Sequence, residues 1–324
     1  MRQIIALAAI ASLVLTQWAR ADDTESATAP RLVERTVKVN IKGYEKLTMF
    51  LLLPEGGKVN GVLCLCMLGS GSEDIRAKLL GETTNRIPAL EFAAARDLAV
   101  VAWRAHRQWD PSHNWDELHR EKRKRFDDNF GLVAEAWEKG VKYFIANYGI
   151  PESGYLMMGS SAAAQYAQRL ALRRPSRFLA VHVHIASSFD VPVKNASTLL
   201  WCVTTGENEL GYERSLKFFE TARDKPMSYP IVYKAFPGLG HEGGAMVTAL
   251  GFACFDYALS EYARATSMNK GRPTMPNWAE IFESAPYVAD VFNQGVHPKE
   301  DAICVPPEFR MPLPKPLREA WIAE

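Results

Sequence analysis

Apolar residues fall along this chain in two rhythms. Residues 36–40 alternate apolar and polar, and residues 47–53 read as a second strand beside them. A continuous apolar run follows at 62–68, a second buried strand at 99–103, and further strand segments at 155–158, 179–185, 199–203 and 231–236. Such runs mark strands covered on both faces, as in a parallel sheet. Between them the spacing turns helical, at 87–98, 127–148, 162–172, 212–222 and 244–264. The segment 127–148 is the clearest, with Phe130, Leu132, Val133, Ala136, Trp137, Val141 and Phe144 on one stripe. This order predicts an α/β domain over 36–264, with a mainly parallel central sheet, helices on both faces and an antiparallel pair at its start. Residues 265–324 are rich in proline and carry little periodicity, so they read as a C-terminal extension packed on that domain.

The first 35 residues fall outside the pattern. Arg2, an apolar stretch at 4–15 and the small-x-small Ala19-Arg20-Ala21 read as a signal peptide over 1–21, with a flexible leader over 22–35. Secretion or a periplasmic location is therefore expected. The 4–15 stretch is short for a membrane span, and no later segment approaches that length. Export permits disulfides, and the chain has five Cys. Cys64 and Cys66 share one face of an apolar run and suit buried thiols, and Cys304, in the proline-rich tail, is the candidate bridging partner for one of the others.

Charge narrows the possible partners. Lys and Arg number 38 against 37 Asp and Glu, for a net +1. That balance argues against nucleic acid, whose phosphates need clustered cations. The densest basic run, 120–125, contains Glu121 and leads into Asp127 and Asp128, as a solvated surface segment would.

The chemistry starts at Met158-Gly159-Ser160-Ser161-Ala162-Ala163, between a strand and a helix. A serine on a tight strand-to-helix turn projects its hydroxyl above the sheet edge, and the positions two before and two after it must be small. Centred on Ser161 those positions are Gly159 and Ala163, whereas centred on Ser160 the first is Met158. Sterics therefore select Ser161 as the nucleophile. The competing assignment is a helix N-cap serine.

A serine nucleophile needs a base, and the base an orienting acid. His241 lies in Gly238-Leu239-Gly240-His241-Glu242-Gly243-Gly244, after one strand and before the last long helix, where it can reach over the sheet edge. His182 and His184 share a face of a strand and read as packed residues. His106, His113 and His119 lie in a polar connection without regular metal-ligand spacing. Glu209 follows the 199–203 strand, three residues past Gly206. Glu207 and Asp190 remain alternative acids. For the oxyanion, the amide of Ala162 is one donor. A second is expected from the loop after 62–68, from Ser70 or its neighbour Gly69.

Serine, acid and histidine follow one another in the order Ser161, Glu209, His241. With the Gly69-Ser70-Gly71 loop, the elbow and Gly240-His241, the chain resembles the α/β-hydrolase superfamily over residues 36–264. Its layout is similar to compact secreted esterases and depolymerases, such as feruloyl esterases, acetylxylan esterases and polyhydroxybutyrate depolymerases. It departs from them at Leu68, where many members have His, at Ala163, where Gly is usual, and in having Glu as the acid. The resemblance implies an acyl-enzyme mechanism on esters, with no cofactor and no metal. The short interval between 185 and 199 leaves no room for a cap domain, so bulky or polymer-linked esters are the expected substrates. Trp109 and Trp115 are the candidate stacking surfaces for a sugar or an aromatic acyl group, with plain surface packing as their alternative. A serine peptidase of the same fold and a non-catalytic binding or envelope protein are the competing functions.

Overall fold

The computed structural model describes residues 31–41, 44–67, 72–83, 87–106, 124, 126–242 and 245–323. The signal peptide and leader, except for residues 31–35, lie outside the described residues, as do Gly69, Ser70, Trp109, Trp115, His113 and His119.

Strands and helices alternate in the expected order. β1 (Leu32–Ile41) and β2 (Tyr44–Leu52) form an antiparallel pair, and β3 (Gly61–Cys66) follows. Helices α1 (Ser72–Leu79) and α2 (Pro88–Ala94) lead into β4 (Leu98–His106), which pairs parallel with β3 and antiparallel with β2. The long α3 (Phe130–Tyr148) is followed by β5 (Tyr155–Ser160), α4 (Ala162–Arg173), β6 (Phe178–His184) and β7 (Leu200–Gly206). Then come α5 (Tyr212–Arg223), β8 (Ile231–Phe236) and α6 (Ala245–Met268). The eight strands form one sheet in the order β1-β2-β4-β3-β5-β6-β7-β8, parallel from β4 onward.

Burial explains why the central strands are dominated by apolar residues. Every residue of β3, β6, β7 and β8 is buried, because helices cover the sheet. α3 carries its apolar stripe against β1 and β2. There Gly140 lets the helix approach so closely that an added Cβ would lie 2.1 Å from the Met49 sulfur. The helix stops at Gly149, whose left-handed backbone (φ 66°) suits a residue without a side chain. Between α3 and α4, Phe126, Phe130 and Tyr166 form a ring cluster with Tyr44.

The chain beyond α6 is more ordered than its sequence suggests. α7 (Trp278–Glu283) precedes a separate antiparallel sheet of β9 (Tyr287–Asp290), β10 (Gly295–Pro298) and β11 (Arg310–Leu313), in the order β10-β9-β11. α8 (Arg318–Ile322) follows. This segment closes the edge of the main sheet. β8 is the last strand, and its outward-facing Tyr233 amide meets the sulfur of Met311 at 2.9 Å, while the Tyr233 carbonyl accepts from Trp321 Nε1 at 2.9 Å. The buried Lys234 ammonium donates to the carbonyls of Trp321 (2.5 Å) and Ala323 (2.9 Å). An edge strand otherwise offers a row of unpaired backbone groups, and here side chains of the tail occupy them.

All five cysteines are free thiols. The expected bridge from Cys304 does not form, because Cys304 is exposed on the C-terminal segment while Cys64, Cys66, Cys202 and Cys254 are buried in the main domain. Burial pushes the Cys64 and Cys66 thiols well up, which keeps them protonated.

Because Trp321 is fully buried against β8, Trp321→Ala is expected to cost about 3–5 kcal/mol. Urea unfolding measures it, and a loss below about 1 kcal/mol would show that the tail is dispensable to the edge.

Candidate active site

The turn after β5 holds Ser161 in a backbone conformation that L-residues rarely adopt, φ 56° and ψ −128°. Three local features sustain it. The Ser161 amide donates to the His184 carbonyl at the end of β6 (2.9 Å), and the Ser161 carbonyl accepts the Ala164 amide (3.0 Å). Gly159 gives the room, since a Cβ there would lie 2.6 Å from the Ala163 carbonyl oxygen and 2.9 Å from the Ala164 Cα. The steric choice of Ser161 over Ser160 therefore agrees with the backbone, which places Ser160 as the last residue of β5. Ser161 makes no side-chain cap to α4, although it precedes that helix. Its hydroxyl lies instead 2.8 Å from His241 Nε2.

His241 is reached through a loop that β7 and β8 build together. The Glu207 amide donates to Phe236 O (3.1 Å), the Asn208 amide to Leu239 O (2.9 Å) and Asn208 Nδ2 to Gly238 O (3.1 Å). The close approach needs Gly206, where a Cβ would lie 2.2 Å from the Leu239 carbonyl oxygen. Zipped in this way, the loop after β7 delivers Glu209, whose Oε2 accepts from His241 Nδ1 at 2.8 Å. The Glu209 side chain is 5% exposed and that of His241 57%, so the carboxylate is sheltered and the imidazole faces the open side. With Nδ1–H given to the carboxylate, Nε2 is left as an acceptor for the Ser161 hydroxyl. The three side chains form one directed hydrogen-bond chain that can take a proton from Ser161.

No protein-family model matches the sequence, and no curated protein matches it. Solved structures do. The chain is similar to a ferulic acid esterase from Anaeromyces mucronatus, at 15% identity over 74% of this chain and 93% of that one, with a TM-score of 0.49. It is similar to an S-formylglutathione hydrolase from Agrobacterium tumefaciens, at 13% identity over 73% of this chain and 97% of that one, with a TM-score of 0.48. It is also similar to a chain from Bacteroides ovatus described as a dipeptidyl aminopeptidase IV, at 12% identity over 75% of this chain and 38% of that one, with a TM-score of 0.50. The fold is the α/β-hydrolase fold. At these identities the likeness speaks for the fold, and the chemistry rests on the residues themselves.

In this fold the strands from β3 onward run in parallel, so their C-terminal ends lie along one edge. Ser161, Glu209 and His241 all leave from that edge, after β5, β7 and β8. The alternative acids do not reach His241. Both oxygens of Asp190 are held elsewhere, by Arg169 Nε at 2.8 Å and Arg173 Nη1 at 2.9 Å, and Arg169 also pairs with Asp127 at 2.5 Å. Glu207 is exposed, one position to each side of Asn208 separating it from Glu209, and only its backbone joins the zipper. The Ala162 amide opens α4, in the turn whose N–H groups have no intrahelical acceptor, so it can face an oxyanion. The expected second donors, Gly69 and Ser70, lie outside the described residues.

Sequence reasoning missed Gly206 as a contact point and Asn208 as a tie. A Gly-x-Asn pattern after a strand carries a turn signal, but only the paired loop shows what it binds. It also missed what His182 and His184 do. Both are buried on β6, and both meet the Thr204 hydroxyl of β7, at 2.9 Å and 3.0 Å. Burial, aided by the neighbouring His184, lowers the His182 pKa to about 3. Burial also lowers that of His184, against the opposing pull of the Glu242 and Thr204 backbone.

These shifts carry a sign. An unfolded His binds its proton near pH 6.5, whereas folded His182 resists it down to about 3. The folded state therefore holds its full advantage above about pH 6.5 and loses it as the pH falls, by up to about 1.4 kcal/mol per unit for this group. Urea unfolding at pH 7 and pH 5 is expected to show a steeper decline for the native chain than for His182→Asn. Equal slopes would contradict a neutral buried His182.

Proposed function

We propose that the protein is an exported serine hydrolase that cleaves carboxylic esters through an acyl-enzyme on Ser161. The reading rests on one observation above the rest, the hydrogen-bonded chain from the Ser161 hydroxyl through His241 to the buried Glu209 carboxylate. In the first half-reaction, Ser161 Oγ bonds to the carbonyl carbon while His241 Nε2 takes its proton and the carbonyl π pair moves to oxygen. The Ala162 amide is aimed at that oxyanion, with the Gly69–Ser70 segment as the expected second donor. The oxyanion then collapses, the C–O bond to the alcohol breaks, and His241 returns the proton to the departing oxygen. A water attacks the acyl-serine by the same steps, and the acid leaves. Glu209 holds the tautomer and stabilises the imidazolium in each half.

The substrate class follows from the space over the site. Residues 185–199, between β6 and β7, contribute one 3-10 turn at Lys194–Thr198 and no inserted cap. A site with no cap inserted between β6 and β7 suits bulky or polymer-linked esters, such as acylated polysaccharides or polyesters. Trp109 and Trp115 are the stacking candidates for such a substrate. The N-terminal segment supports export, and no helix among the described residues is long and apolar enough to cross a membrane. A peptidase is the second reading, favoured by the likeness to the Bacteroides ovatus chain, of which this protein covers 38%.

A fluorophosphonate probe is expected to label the protein covalently, and Ser161→Ala to abolish labelling and lower ester hydrolysis by about a thousandfold or more. Glu209→Ala should lower turnover more than Glu207→Ala or Asp190→Ala. Labelling that persists in Ser161→Ala overturns the nucleophile. Turnover of peptide amides in preference to acetyl, feruloyl and polymer-linked esters turns the assignment to the peptidase.

A further inference from the structure

One residue of β6 touches both sides of the site. The His184 backbone carbonyl accepts the Ser161 amide at 2.9 Å, and the His184 imidazole lies 3.3 Å, at Nε2, from the carbonyl of Glu242, the residue next to His241. Its other nitrogen meets Thr204 Oγ1 at 3.0 Å.

The hydrogen positions in this group follow from what each atom is able to do. A carbonyl only accepts, so His184 Nε2 carries the proton and donates to Glu242 O. Neutral His184 then has a bare Nδ1, which accepts from Thr204. A hydroxyl has one hydrogen, and Thr204 spends it on His184. His182 Nε2, 2.9 Å from the same oxygen, must therefore be its N–H donor. That leaves His182 Nδ1 bare, and this atom is the one that finds no partner in the structure. It faces Gly251 of α6, where a Cβ would lie 2.2 Å away, so only a glycine lets the helix lie over it. Every atom is accounted for by one tautomer assignment. An imidazolium at His184 would turn Nδ1 into a donor toward Thr204, whose hydroxyl hydrogen would then lose its acceptor there. Burial of the group works in the same direction.

We propose that His184, neutral and protonated on Nε2, is a positioning residue that ties the loop bearing His241 to the strand that fixes Ser161, with Thr204 and His182 locking its tautomer. The ordinary alternative is that two buried histidines fill the core. A filler needs no particular tautomer, and a shape-matched apolar residue would replace it. A positioning residue fixes the distance from His241 Nε2 to Ser161 Oγ, so its loss lowers turnover and leaves ground-state binding in place. The proposal rests on the reading of Ser161, His241 and Glu209 as the catalytic groups.

The experiment uses the full chain, p-nitrophenyl butyrate and four variants. His184→Phe is expected to lower kcat by about ten- to a hundredfold with KM within about threefold. His184→Gln, whose amide can donate to Glu242 and accept from Thr204, should recover most of that loss. Thr204→Val keeps the volume and removes the hydroxyl, and is expected to lower kcat by at least about threefold at unchanged KM. It decides the matter if His184→Phe fails to fold. Nitrogen-15 spectra of the imidazoles should show His184 and His182 both protonated on Nε2 and bare on Nδ1. Native kcat in His184→Phe or in Thr204→Val, or an Nδ1–H tautomer at His184, overturns the proposal. Ser161→Ala separates the two failures. If it retains full hydrolysis, the catalytic reading falls, and the spectra still test the tautomers. If it is inactive while His184→Phe turns over normally, the positioning role alone falls.

Discussion

A strand buried on both faces has no place for a charge, and this constraint arranges everything else in the molecule. β3, β6, β7 and β8 are buried at every residue, so groups that must meet water leave the sheet at strand ends. Because the strands run in parallel, those ends collect on one edge, and three of the exits, after β5, β7 and β8, supply a hydroxyl, a carboxylate and an imidazole. The polar side chains that do remain inside illustrate the same rule. Two carbonyls of the tail receive protons from the buried Lys234, and Thr204 lies between two imidazoles.

The backbone at Ser161 is strained, and the strain is opposed by contacts from outside its own turn. A residue with a side chain held at φ 56° costs of order 1–3 kcal/mol relative to an ordinary backbone. The opposing contacts come from β6, through the His184 carbonyl, and from the bareness of Gly159. Gly206 plays the matching part on the other side, letting the acid-bearing loop lie against the histidine loop. The geometry of the site is therefore a property of strand ends and glycines, and the Ser161, Glu209 and His241 side chains are carried on it.

This division explains what was legible in the sequence. Apolar runs and helical stripes gave the strand and helix order, because burial on a sheet leaves a signature in every residue of the run. Gly159 and Ala163 framed Ser161, because a crowded turn admits only small neighbours. Glu209 and His241 follow from their places after strands, and Asp190, an alternative acid by position, is engaged by Arg169 and Arg173. What stayed hidden depends on contacts between distant segments. The tail sheet is built of four-residue strands broken by proline, too short for a period to register. Among its described side chains α1 buries Ile75 and Leu79 alone, too few for a helical stripe to register. Asn208 and Thr204 look like ordinary turn and strand residues until their partners are in view.

The buried histidines then acquire a physical reason that the catalytic chain alone does not give. His241 sits on a loop and its side chain is 57% exposed, so little burial holds the ring in place. Loops of that kind lie at the low-stability end of a structure, and a base must keep to within a fraction of an ångström of its nucleophile. An apolar side chain on β6 would fill the space below the loop and leave the Glu242 carbonyl without a donor. An imidazole fills the same space and supplies that donor, provided a second polar group fixes which nitrogen carries the proton. Thr204 is that group, and His182 is what keeps the Thr204 hydroxyl turned toward His184. The polar atoms buried beneath the site thus extend its hydrogen-bond order one layer into the core, down to the point where Gly251 and α6 close over it.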